Sequence, residues 1–186
     1  METLAFPTQT AFRQWLARNH CQSDGIWLRI YRKETRQPTV TYAEALDEAL
    51  CYGWIDGQKK PFDEESWLQK FTPRRPRSAW SKANTEHTNR LIKENKMTPA
   101  GLAEIETAKA DGRWDAAYDR FSRATLPEEF TRALAKNKKA QAFFETLNKT
   151  NRFSISYRLQ TAKREETKQK RIKEIIAMLA RGEKFH

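Results

Sequence analysis

The hydrophobic period of this chain changes between Thr72 and Ser81, and that change restricts the folds open to it. Before it, Gly25-Ile-Trp-Leu-Arg-Ile-Tyr31 alternates. Ile26, Leu28 and Ile30 fall on one side and Trp27, Arg29 and Tyr31 on the other, the period of a half-buried strand. Trp54–Gln58 and Ser66–Phe71 add two short runs, separated by Lys59-Lys-Pro-Phe-Asp-Glu-Glu65, whose proline and acids mark a turn. Thr72-Pro73 closes this part, because the residue before proline is driven extended and proline cannot donate to a ladder. After it the spacing is helical: Ala83, His87 and Leu91, then Leu102, Ile105 and Ala108, then Ala140, Phe143, Phe144 and Leu147, then Ile172, Ile175, Ile176 and Leu179. The pattern predicts an α+β protein. A small, mostly antiparallel sheet covered by helices occupies residues 1–98, and a helical C-terminal region packed against it occupies 99–186.

Local signals place the helices. Thr8 caps a helix to Asn19 that carries Phe12, Trp15 and Leu16 on one face. Thr41-Tyr-Ala-Glu44 is a capping box, opening a helix with Ala43, Leu46, Ala49 and Leu50 inward, and Gly53 stops it. Thr98-Pro99 is a cap followed by proline at the first helical position, with the stop at Asp111-Gly112. Residues 113–125 form a connector whose Trp114, Tyr118 and Phe121 are expected to pack down. Residues 152–162 alternate briefly, but the short links around them favour helix.

A chain of 186 residues can bury about 70% of its extended surface, so a core without staples is expected. Cys21 and Cys51 fit no metal-ligand spacing and are expected to be reduced, buried thiols. The segment Met1–Pro7 lacks a basic start and a long apolar run, and no stretch reaches membrane length, so the expected location is the cytoplasm. The net charge of +11 favours acidic partners. It is unevenly spread, at +1 over residues 1–60, +3 over 61–98 and +7 over 99–186.

The chemistry concentrates where the period changes. From Lys70 to Lys82 there are five basic residues, no acidic ones, and the aromatics Phe71 and Trp80. Arginine forks pair bidentately with phosphate or carboxylate, and an indole stacks on planar groups. Arg74, Arg75 and Arg77 lie between a strand end and a helix start, where a Ser78 or Ser81 cap would direct backbone N–H groups to the same anion. The competing reading is internal: the same arginines can pair with Asp56, Asp63, Glu64 or Glu65 and hold the hairpin shut. The histidines His20, His87 and His186 have no partner at ligand spacing. No metal, cofactor or nucleophile motif is present, so no catalytic residue is assigned. The tail Lys163–Lys173 carries six basic and two acidic residues beside an apolar stripe, so it either docks or lies on phosphates.

The runs Glu44–Gly57, Phe71–Asn84, Met97–Gly101 and Ala108–Trp114, with Leu126–Phe130 and Ala162–Ile172, closely resemble the bacterial YdeI/OmpD-associated family, the last two its OmdA-type helical segment. The resemblance implies a role in bacteriocin protection and stress tolerance, with no reaction or cofactor attached. Its signature covers Trp54, Asp56, Arg74, Arg75, Ser78, Trp80, Ser81 and Asn84. The expected function is therefore a non-enzymatic accessory protein holding an anionic small molecule or phosphate group at Trp54, Asp56, Arg74, Arg75, Arg77, Ser78, Trp80, Ser81 and Asn84. Asn84 would orient the ligand and Asp56 would hold the arginines. The alternatives are sequence-independent nucleic-acid binding by the basic C-terminal helices, and a hydrolase or transferase using Asp56 with Ser78 or Ser81.

Overall fold

The computed structural model describes residues 1–119, 125–162 and 164–186, in two compact units: Met1–Ser78 with Asn84–Asp115, and Ala79–Ala83 with Ala116–His186. Phe121 and Lys163 lie outside the described residues.

The first unit is built on a four-stranded sheet of β1 (Glu2–Ala5), β2 (Ile26–Tyr31), β3 (Trp54–Pro61) and β4 (Ser66–Pro73), in the order β1-β2-β4-β3. β2 with β4 and β4 with β3 are antiparallel, whereas β1 adds to β2 in parallel, so the sheet is mixed. The parallel edge strand escapes a reading by period because four residues hold too little alternation to register. The expected burial of β2 holds: Ile26, Leu28 and Ile30 are at most 4% exposed, while Trp27, Arg29 and Tyr31 remain half-buried on the other face.

Helices α1 (Gln9–Asn19) and α2 (Tyr42–Cys51) cover the apolar face. Phe12 of α1 meets Phe71 of β4 with ring centroids 5.9 Å apart, and Leu16, Ala45, Ala49 and Leu50 fill the space around them. Each large apolar side chain so removed from water contributes about 1.5–3 kcal/mol. The capping box forms as expected: the Thr41 N–H donates to Glu44 Oε2 at 2.8 Å and the Glu44 N–H to Thr41 Oγ1 at 3.3 Å. The two helices are also tied by charge, since Arg13 donates to the buried Glu48 carboxylate at 2.7 Å and Gln9 donates to its other oxygen. α3 (Lys82–Lys93) and α4 (Pro99–Ala110) follow. α3 meets α2 through Arg90 and His87 on Asp47, and α4 through Thr98 on the Cys51 carbonyl. Cys51 is buried, and its thiol is pushed up to about 11 by burial and the nearby Glu48. Cys21 is exposed beyond the end of α1, contrary to the expectation of a buried thiol.

The second unit is helical: α5 (Glu128–Ala135), α6 (Lys138–Glu145), α7 (Lys149–Gln160) and α8 (Glu165–Ala180). Phe130, Leu134, Ala140, Leu147, Ile155, Leu159, Ile172, Ile175 and Leu179 make one core. The ambiguous segment is the helix α7. Asn148 caps it, and Ile155 and Leu159, four apart, are both buried.

Asp119 ties this unit together: Lys82 Nζ sits 2.6 Å from it, and the Thr125 hydroxyl and Gln160 amide donate to it at 2.8 and 2.9 Å. These donors, led by Lys82, hold its carboxyl down at about 2. The unfolded carboxyl titrates near 4, so this stabilisation is complete above about pH 5 and is lost as pH falls from about 4 to about 2, a change of about 2 kcal/mol. Denaturant titrations across that window should show Asp119→Asn less stable at neutral pH and less acid-sensitive than wild type. Parallel curves for the two proteins would mean that the carboxylate contributes nothing.

Candidate functional site

β4 ends at Pro73, where the Arg74 N–H donates to the Gly53 carbonyl at 3.1 Å and the chain leaves the sheet. A tight turn follows, closed by the Ser78 N–H on the Arg75 carbonyl at 3.0 Å, with Arg77 in the left-handed region at φ 65°. The turn is pinned from beneath. Arg113, 5% exposed, donates to the Ser78 carbonyl at 2.8 Å while its Nε holds Asp111 at 2.6 Å. Arg75 and Arg77 are therefore carried outward on a braced loop, both exposed, while Arg74 is buried at 7% exposure.

Of the hairpin acids expected to neutralise these arginines, Asp56 and Asp63 have other partners, and Glu64 and Glu65 enter no ion pair among the described residues. Asp56 accepts from the Tyr42 hydroxyl at 2.8 Å, and burial together with that carboxylate pushes the Tyr42 phenol far above its ordinary range. Asp63 takes Arg29 at 2.6 Å and the Ser66 hydroxyl at 2.6 Å, and these bonds, the Ser66 hydroxyl first, hold its carboxyl below the usual range. Among the described residues, neither Arg75 nor Arg77 enters an ion pair. Asp56 meets Tyr42 and not an arginine because β3 runs beside the start of α2, a proximity that no spacing along the chain reveals.

The other expected site residues are mostly interior. Trp54 is 1% exposed, its indole N–H on the His20 carbonyl at 3.2 Å and its ring edge-on to Trp15 at 5.8 Å. Asn84 is 9% exposed, and its backbone carbonyl accepts from Thr88 at 2.9 Å. Trp54, Asp56, Arg74, Arg75, Arg77, Ser78 and Asn84 belong to the first unit, and Trp80 and Ser81 to the second. There Trp80 is 2% exposed, its carbonyl accepting from the Tyr118 N–H at 3.0 Å, and Ser81 bridges to Tyr118.

On the basic tail, Ile172, Ile175 and Leu179 are buried. Several of its cations are spent internally: Lys168 pairs with Glu129 at 3.0 Å, Lys170 approaches Glu174 at 4.0 Å, and Arg171 donates to the Arg158 carbonyl. His87 sits against Asp47 at 2.9 Å. Among the described residues there is no group of three or more side chains suited to hold a metal, and no helix is long and apolar enough to cross a membrane.

A basic cavity of about 600 Å³, lined in part by Arg32, Lys33, Lys59 and Trp67, was not anticipated. Its cations come from the end of β2 and the end of β3, which are distant along the chain and meet only because β4 lies between those strands.

Residues 4–104 match the family model of a domain of unknown function, DUF8412, and residues 123–182 match the OmdA model, described as bacteriocin-protection, YdeI or OmpD-associated. No curated protein and no solved structure matches the chain.

Proposed function

We propose, for a chain that belongs to the DUF8412 family and carries the bacteriocin-protection, YdeI or OmpD-associated segment OmdA, a cytoplasmic accessory protein of stress or bacteriocin tolerance that works by holding an anion. Arg75 and Arg77 make the contact, with the polar groups of Ser78 beside them. The observation that carries this reading is the braced turn: two exposed guanidinium groups on a loop held by Arg113, with Asp56 and Asp63 engaged elsewhere. A loop whose backbone is fixed before the ligand arrives loses little freedom on binding, and its guanidinium groups favour a phosphate or carboxylate group. Trp54 and Trp80, at 1% and 2% exposure, serve this reading as core residues of their units and not as ligand contacts.

The nucleic-acid reading of the C-terminal helices has less behind it, since Lys168, Lys170 and Arg171 already have partners within their own unit. The hydrolase reading is weakened by the Tyr42 hydroxyl on Asp56.

The test is a thermal-shift screen of nucleotides, phosphorylated metabolites and carboxylates at low salt, repeated on Arg75→Ala/Arg77→Ala. Two charge-assisted hydrogen bonds lost should weaken any hit by at least about tenfold. Because both side chains are exposed, the double variant should melt within a few degrees of wild type. Hits unchanged in the double variant, or no hit at all, would remove the proposal.

A further inference from the structure

The face of the first unit's sheet away from α1 and α2 carries an arrangement that the arginine turn does not use. α1 and α2 occupy the side of Ile26, Leu28 and Phe71, and register puts Trp27, Arg29 and Tyr31 on the other side, with Trp27 opposite Lys70, and Arg29 and Lys60 both opposite Leu68. There the aromatic rings and cations interleave. Lys60 Nζ lies 4.2 Å from the Trp27 ring centroid, and the Arg29 guanidinium lies 4.4 Å from that of Tyr31 and 5.0 Å from that of Phe62. Phe62 is 51% exposed, a large apolar ring left in water at the edge of this face.

We propose that this face binds single-stranded nucleic acid, bases stacking on the aromatic rings and phosphates running along the cations. Two features select that occupant. The charge is complementary: Lys60 and Lys70 share the face and enter no ion pair among the described residues, while Arg29 beside them is held by Asp63 at 2.6 Å. Glu64 and Glu65 sit in the hairpin turn at one end and do not interrupt the rows. Phe62, half exposed, offers a π face that any base can use, and Lys60 can leave the Trp27 ring for a phosphate, so recognition is of unpaired bases and indifferent to sequence; a duplex hides the faces of its bases. An apolar protein partner would gain little from so many cations, and a free phosphate would leave Trp27, Tyr31 and Phe62 without a role.

The experiment is fluorescence anisotropy with a labelled twelve-nucleotide oligothymidine and a duplex of equal length, at 50 and 200 mM salt, on the whole chain. The single strand is expected to bind at least tenfold tighter than the duplex, with affinity falling steeply as salt rises. Phe62→Ala removes no charge and touches an exposed ring, so the fold should survive; it is expected to weaken single-strand binding five- to a hundredfold. Lys60→Ala/Lys70→Ala should weaken it and flatten the salt dependence. Lys138→Ala/Lys139→Ala, exposed at the start of α6, should leave it unchanged, which separates this face from the basic helices of the second unit. No binding at 50 mM salt, equal affinity for duplex, or a Phe62→Ala variant that binds like wild type would each overturn the proposal.

Discussion

Trp54→Ala is expected to lower the stability of the first unit by about 3–5 kcal/mol, and its melting temperature by roughly 10 °C or more. The indole stands at the first position of β3, paired with Pro73, and is 1% exposed. Its removal opens a cavity against Trp15 and leaves the His20 carbonyl without the N–H that reaches it at 3.2 Å. Both losses act in the same direction. Trp54→Phe separates them: it keeps much of the packing but not the donor, and should cost about 1–3 kcal/mol. The result also decides whether this residue serves the core or a ligand. A tryptophan reserved for a ligand could be truncated with little change in melting and a large loss of binding. Equal melting of Trp54→Ala and wild type would therefore return the residue to the ligand site and contradict its place in the core.

The same residue shows where sequence is legible and where it is not. The alternation of Ile26 to Tyr31 is visible because each side chain's environment is set by its own strand's pleat, a local property. The capping box at Thr41 and Glu44 is visible for the same reason, since both partners lie within one turn. Trp80 looked like a ligand anchor because its neighbours are arginines and serines, and Trp54 because the family resemblance places it in the signature; neither spacing nor resemblance records what packs above a ring. The partners of the hairpin acids are hidden in the same way. Tyr42 reaches Asp56 across the α2 to β3 connection, and Arg29 reaches Asp63 through β2 beside β4. Strand order, which decides both, depends on which edges pair. That choice rests on surfaces assembled from separate segments, and it also created the basic cavity and the aromatic face. Thus the helices of the second unit, whose cores repeat every three or four residues, could be anticipated closely, whereas the exposure of Arg75 and Arg77 became evident only with the bracing by Arg113.

Gly101→Ala gives the sharpest contrast between local propensity and packing. In an isolated helix the change would stabilise by about 1 kcal/mol, because glycine loses more backbone freedom than alanine. Here the opposite sign is expected, a loss of about 3 kcal/mol. Thr98 places its N–H 3.2 Å and its hydroxyl 2.6 Å from the Cys51 carbonyl, so the first turn of α4 caps the end of α2. Gly101 lies in that turn, where an added Cβ would sit 2.3 Å from the Cys51 oxygen and 2.8 Å from its carbon. The Met97 methyl, at 2.7 Å, could swing aside, but a backbone carbonyl that ends one helix and accepts the cap of another cannot. Relief would require α4 to retreat, breaking both Thr98 bonds and loosening the Gly53 turn into β3. Adding Met97→Ala should therefore recover little of the loss. If Gly101→Ala instead melts higher than wild type, the helix propensity prevails and α4 does not seat on the carboxyl end of α2.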